Sequence, residues 1–110
     1  MNREVEAYIN NYPKAITELF GVLRQLIYDS IKVDPIEKLW AKMPSYYVGE
    51  AFVRLIPFKD HINIEARAIT ERKEIIPGYS ITPKGMLMIH LGDVIPTDAL
   101  RRIFTETLTK

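Results

Sequence analysis

Cysteine is missing altogether, which excludes disulfide staples, thiolate nucleophiles and Cys-based zinc or iron–sulfur sites. Glycine is sparse, with five in 110 residues, and no Gly-rich phosphate loop can be assembled from them. A Gly-x-Ser-x-Gly elbow, a His-Glu-x-x-His pair and a recognisable pair of catalytic carboxylates are also lacking, so the sequence reads as that of a non-enzymatic protein. No apolar run approaches the ~18 residues that a bilayer span needs. The start, Met1-Asn2-Arg3-Glu4-Val5-Glu6, carries no apolar leader core, and a cytoplasmic protein is expected. Nor is one sign of charge in excess. Fifteen Lys and Arg against fourteen Asp and Glu leave +1, too little to advertise a phosphate-neutralising surface. Neither nucleic acid nor a membrane is an expected partner.

What is present is globular in kind: 47% apolar and 26% charged residues, enough for a single domain over 1–110. Val5, Tyr8, Ile9 and Tyr12 recur at helical spacing, and Pro13 then suits a first helical turn, so the helix is expected to break and restart there. From Pro13 to about Ile31, Ile16, Leu19, Phe20, Leu23, Leu26, Ile27 and Ile31 make one apolar stripe. Pro35 ends that segment, since it disfavours helix at Asp34. Short runs of aromatic and β-branched residues follow, read as strands near 37–43, 46–48, 51–58 and 60–65 and punctuated by Met43-Pro44-Ser45 and Val48-Gly49-Glu50. Connections as brief as Gly49-Glu50 and Lys59-Asp60 join only antiparallel neighbours. A short helix over 66–76 stopped by Pro77-Gly78, a strand over 86–91, and a last helix capped by Thr97 with Leu100, Ile103, Phe104 and Leu108 buried complete the reading. The expected class is α+β: a two-layer sandwich with helices on one face of an antiparallel sheet.

Alternation then divides each strand between two faces. Ile62 and Ile64, Leu87, Ile89 and Leu91, Val53 and Leu55, and Leu39, Ala41 and Met43 suit the helix side. That leaves Lys38, Trp40, Lys42, Phe52, Arg54, Ile56, Phe58, His61, Asn63, Glu65, Met86, Met88 and His90 outside. Such a mixture of aromatic, cationic and imidazole side chains has the residue types enriched at interface cores. Trp40, Tyr46, Arg54, Phe58, Lys59, His61 and Lys84 are the candidate contacts for a protein partner or a small ligand. A two-fold homodimer would equally cover the apolar part of the face, with Glu50 or Glu65 answering Arg54 and Lys42 across the axis. Alternatively, Trp40, Phe52 and Phe58 form a minor core beneath residues 66–85. His61 and Glu65 lie ~13 Å apart along one strand and cannot share a metal by themselves. His90 joins His61 only if the 86–91 strand lies beside the 60–65 strand. Pro83-Lys84-Gly85 could offer an ammonium and a backbone N–H to an anion.

Several of these segments together resemble the YdhG-like family, grouped with YjbR-like proteins and frataxin: Tyr8, Ile9 and Pro13, then Met43-Pro44 with Tyr46 and Tyr47. Phe58-Lys59-Asp60-His61-Ile62, Gly78-Tyr79, Lys84-Gly85 and Pro96 complete the match. The resemblance implies a frataxin-like α+β sandwich. It also suggests weak iron binding for delivery, with His61, Glu65 and His90 as the candidate ligands, and no other cofactor. Asn63-Ile64 stands where the family pattern has Gly-aromatic, and Glu4, Glu6, Glu18, Asp29, Asp34 and Glu37 are interleaved with cations rather than gathered into the acidic ridge that oxygen-ligated iron favours.

Overall fold

Asn2 starts the first helix: its side-chain oxygen accepts from the Glu4 and Val5 backbone N–H groups, two of the donors that a helix start leaves unpaired. In the computed structural model, which describes residues 1–109, this helix (α1, Arg3–Ile9) is followed by α2 (Lys14–Asp29). Four strands come next: β1 (Ile36–Trp40), β2 (Met43–Val48), β3 (Ala51–Pro57) and β4 (His61–Ala66). After them stand α3 (Arg67–Glu71), a 3-10 turn (Lys73–Ile75), β5 (Leu87–His90) and α4 (Thr97–Leu108). The fold is α+β as expected, with one antiparallel sheet in the order β1-β2-β3-β4-β5 and the helices packed against it. The chain does break before α2, but Pro13 is the extended residue ahead of that helix (ψ 150°) rather than its first member. Thr97 likewise begins α4 instead of capping it, and its hydroxyl donates to the Ile95 carbonyl.

Helix stripes and strand alternation meet in one core. Val53, Leu55, Ile62, Ile64, Leu87 and Ile89 are fully buried with Ile16, Phe20, Leu23, Ile27, Leu100, Ile103 and Phe104. The Met43-Pro44-Ser45 break does not exist. The β1–β2 turn falls earlier, at Ala41-Lys42, where both residues take positive φ (49° and 64°), the backbone that a two-residue hairpin loop requires. Pro44 precedes the first β2–β3 pair, Ser45 opposite Arg54, near a strand start where a missing N–H is tolerated. This register turns Tyr46 toward the helices, opposite Glu37 and Val53, and turns Met43, Ser45 and Tyr47 outward with Trp40, Arg54 and Phe52. Ala41 and Met43, expected inside, are not. Leu91, expected inside with Leu87 and Ile89, lies past the end of β5 and is exposed.

A polar hub closes the β1 end of the core. The Glu37 carboxylate accepts from Arg24 Nε (2.6 Å), the Asn2 backbone N–H (2.6 Å) and the Tyr46 hydroxyl (2.8 Å), so one side chain ties α1, α2 and β2 to β1. Residues 66–85 join the helix layer and do not cross the outer face. Ala68 and Ile69 are in the core, the Ala68 N–H donates to the Thr107 hydroxyl, and Arg72 pairs with Glu106 at 2.8 Å. The chain then flanks β5, with Ile81 bridged to Leu87 and the Met88 N–H donating to the Ser80 carbonyl. A minor core of Trp40, Phe52 and Phe58 under this segment is therefore not formed.

Candidate functional site

The outer face is organised around Arg54. β3 places this side chain in the middle of the sheet, where a bare guanidinium would be costly to bury, yet only 8% of it is exposed. Its neighbours supply the compensation. The guanidinium lies 4.3 Å from the Trp40 ring centre on one side and 3.8 Å from that of Phe52 on another. Nε donates to Ser45 Oγ (3.1 Å), Nη1 to Glu65 (3.3 Å) and Nη2 to the Tyr47 hydroxyl (3.2 Å). Each cation–π contact is worth about 0.5–2 kcal/mol, and the planar fork fixes three partners at once, which a lysine ammonium could not do. The outcome is a continuous platform: Trp40 is 47% exposed with the guanidinium packed against its ring.

A second cluster occupies the far end of the face. His61 stacks on Phe58, with ring centres 4.5 Å apart and planes within 5°. β5 does lie beside β4, and His61 is directly opposite His90, with ring centres 5.1 Å apart. His61 Nδ1 is 2.7 Å from Asp60 Oδ1, and that hydrogen bond holds the Asp60 carboxyl below its ordinary value. Between the two clusters, the Asn63 side-chain oxygen is buried with no hydrogen-bond partner among the described residues. It is set between Ile56 and Met88 across the neighbouring strands.

The residues expected to form the site thus divide. Trp40 and Arg54 are in contact, and Phe58, His61 and His90 form the second group. Lys84 belongs with Phe52 and Glu65 around a cleft of about 340 Å³ at the edge of the platform. The Gly85 N–H, considered as an anion donor, is taken by the Thr82 carbonyl. Lys59 is exposed in the β3–β4 turn. Tyr46 is no part of the face: it is fully buried on the helix side, and burial among α2 and β1 pushes its hydroxyl far above the ordinary tyrosine range. Glu65 does not join the histidines, since it lies at the other end of β4 and holds Arg54. Arg54 accordingly needs no acidic residue from a second copy. Ser45, Tyr47 and Phe52 complete the platform although the sequence singled out none of them as contacts. Placing the hairpin turn at Ala41-Lys42 would have put Ser45 and Tyr47 beside Arg54. Comparisons with known protein families, with curated proteins and with solved structures find no significant match for this chain.

Proposed function

We propose that this chain is a binding module whose outer sheet face receives a protein partner bearing an apolar or aromatic patch rimmed by carboxylates. The observation that carries this reading is the Arg54-centred platform, a set of large side chains fixed in place before any partner arrives. Pre-ordered aromatic anchors lose little conformational entropy on binding, and Trp, Tyr and Arg dominate interface hot spots. Charge favours an acidic partner. Lys38, Lys42, Lys59 and Lys84 surround the face and make no ion pair among the described residues, whereas Asp60 and Glu65 are already paired. The same rim makes a second copy a less favourable occupant, because a two-fold axis through the face would bring like charges together. Asn63 adds an acceptor that a partner's donor, met by rotation of the amide, would satisfy. Delivery of iron, implied by the family resemblance, is the weaker reading, as Glu65 is committed to Arg54.

Selection of displayed peptides against the whole chain tests this. Enriched sequences should combine Trp, Tyr or Leu with Asp or Glu, shift the emission of Trp40, and bind at least about tenfold more weakly to Trp40→Ala, a loss of ~1.4 kcal/mol. Peptides whose binding ignores both Trp40→Ala and Phe58→Ala would refute the reading. Sedimentation that shows a dimer dispersed by the same substitutions would assign the face to a second copy.

A further inference from the structure

The far end of the face carries a second, separate chemistry. His61 and His90 are a directly opposed cross-strand pair, and each has a carboxylate at its Nδ1: Asp60 at 2.7 Å and Asp93 at 3.7 Å. An ionised carboxylate only accepts, so Asp60 places a proton on His61 Nδ1, and in the neutral imidazole that leaves the lone pair on Nε2. Neither Nε2 makes a hydrogen bond among the described residues. The backbone holds this arrangement. The Leu91 N–H donates to the Asp60 carbonyl (3.0 Å) and the Phe58 N–H to the His61 carbonyl (2.8 Å), which fixes the β3–β4 turn against the end of β5. Gly92, at φ 88°, lets the chain double back so that Asp93 accepts from the His90 N–H (2.8 Å) beside the imidazole it faces.

We infer that His61 and His90 together bind one divalent ion of the imidazole-preferring kind, such as Zn²⁺ or Cu²⁺, with Asp60 as the positioning residue and water completing the coordination. Two observations carry this. A tetrahedral ion bound to an imidazole nitrogen at about 2.1 Å lies about 3.2 Å from the ring centre, so two such rings stand roughly 5.2 Å apart; the two rings here are 5.1 Å apart. The second is the Asp60 carboxylate hydrogen-bonded to His61 Nδ1, the arrangement that orients a metal-ligating histidine, fixes its tautomer and raises its basicity. Imidazole donors suit zinc and copper, whereas the carboxylate-rich sites that hold hard ions need oxygen ligands this pair does not offer. His61 keeps 16% of its side-chain surface exposed and His90 43%, so an ion reaches them from solvent.

Calorimetric titration of the whole chain with Zn²⁺ at neutral pH is the test, with ¹⁵N shifts of the imidazole nitrogens read on the same samples. The expected result is saturable one-to-one uptake in the micromolar range, with Nε2 of both rings shifted and Nδ1 still protonated. His61→Ala and His90→Ala should each weaken it by at least about tenfold, Asp60→Asn by about tenfold, and Glu65→Gln should leave it unchanged. Circular dichroism of each variant confirms that the sheet is retained. No saturable uptake, uptake that survives either histidine substitution, or dependence on Glu65 would each overturn the inference.

Discussion

Glu37 accepts hydrogen bonds from three other segments of the chain, and acid should reveal what they contribute. Burial by itself raises a carboxyl's affinity for a proton, but hydrogen bonds from Arg24, the Asn2 backbone and Tyr46 outweigh that and hold Glu37 below its ordinary value. In the unfolded chain the same carboxyl titrates near about 4.3, so there it takes up a proton at a higher pH than in the fold. Its contribution to stability is therefore complete above the ordinary carboxylate range and is lost as pH falls through the folded value. Urea titrations from pH 7 to pH 3 should show this loss, and Glu37→Gln, costing about 2 kcal/mol at pH 7, should flatten the profile in that window. Asn63 is the opposite case. Its unpaired buried oxygen is a defect in the free protein, so Asn63→Leu, flanked by Ile56 and Met88, should raise stability by about 1 kcal/mol while weakening a partner that donates to the amide. A variant less stable than the natural chain would show that Asn63 is already satisfied.

At the scale of elements, the β1–β2 hairpin stores strain in an unusual place. Neither Ala nor Lys favours positive φ, and each such residue costs roughly 1–2 kcal/mol relative to glycine. The pair Ala41→Asn with Lys42→Gly, the residues this turn type prefers, should raise stability by at least about 1 kcal/mol and leave the Trp40–Arg54 contact unchanged; thermal denaturation gives the first answer and Trp40 emission the second. The same turn explains what the sequence could and could not disclose. β3, β4, β5 and the helix stripes were legible because their apolar alternation is regular and their bounds are marked by Gly, Pro and charged pairs. Ala41-Lys42 carries no turn chemistry, and Pro44 next to it does, so the sequence points to a break at the wrong place and to Tyr46 on the wrong face. Glu37 looked like one scattered carboxylate because its partners Asn2, Arg24 and Tyr46 are 35, 13 and 9 residues away along the chain. Alternation alone places Trp40, Arg54 and Phe58 on the outer face, whereas the meeting of His61 and His90 depends on a strand order that spacing does not encode.

On the scale of the whole molecule, the two layers have different tasks: the helices close one side of the sheet, and the other side is left to aromatic, cationic and imidazole groups. Helix-side substitutions such as Leu55→Ala should cost about 2–5 kcal/mol and be read as lost stability, whereas Trp40→Ala and Phe58→Ala should be read mainly as lost binding. Strand order has a further consequence, in time rather than in structure. Every strand pairs with its neighbour in sequence, so β1 to β4, joined by brief turns, can zip hairpin by hairpin, whereas β5 joins only after residues 67–86 have looped back. A far more distant closure brings α4 onto α2, where the Thr105 hydroxyl donates to the Ser30 carbonyl, 75 residues away. Since entropy must be spent on that closure before it is repaid, the terminal helices should dock last. Loosening the hairpins should slow folding, while Leu108→Ala in α4 should chiefly hasten unfolding, and stopped-flow chevrons of the two kinds of variant would separate along opposite arms.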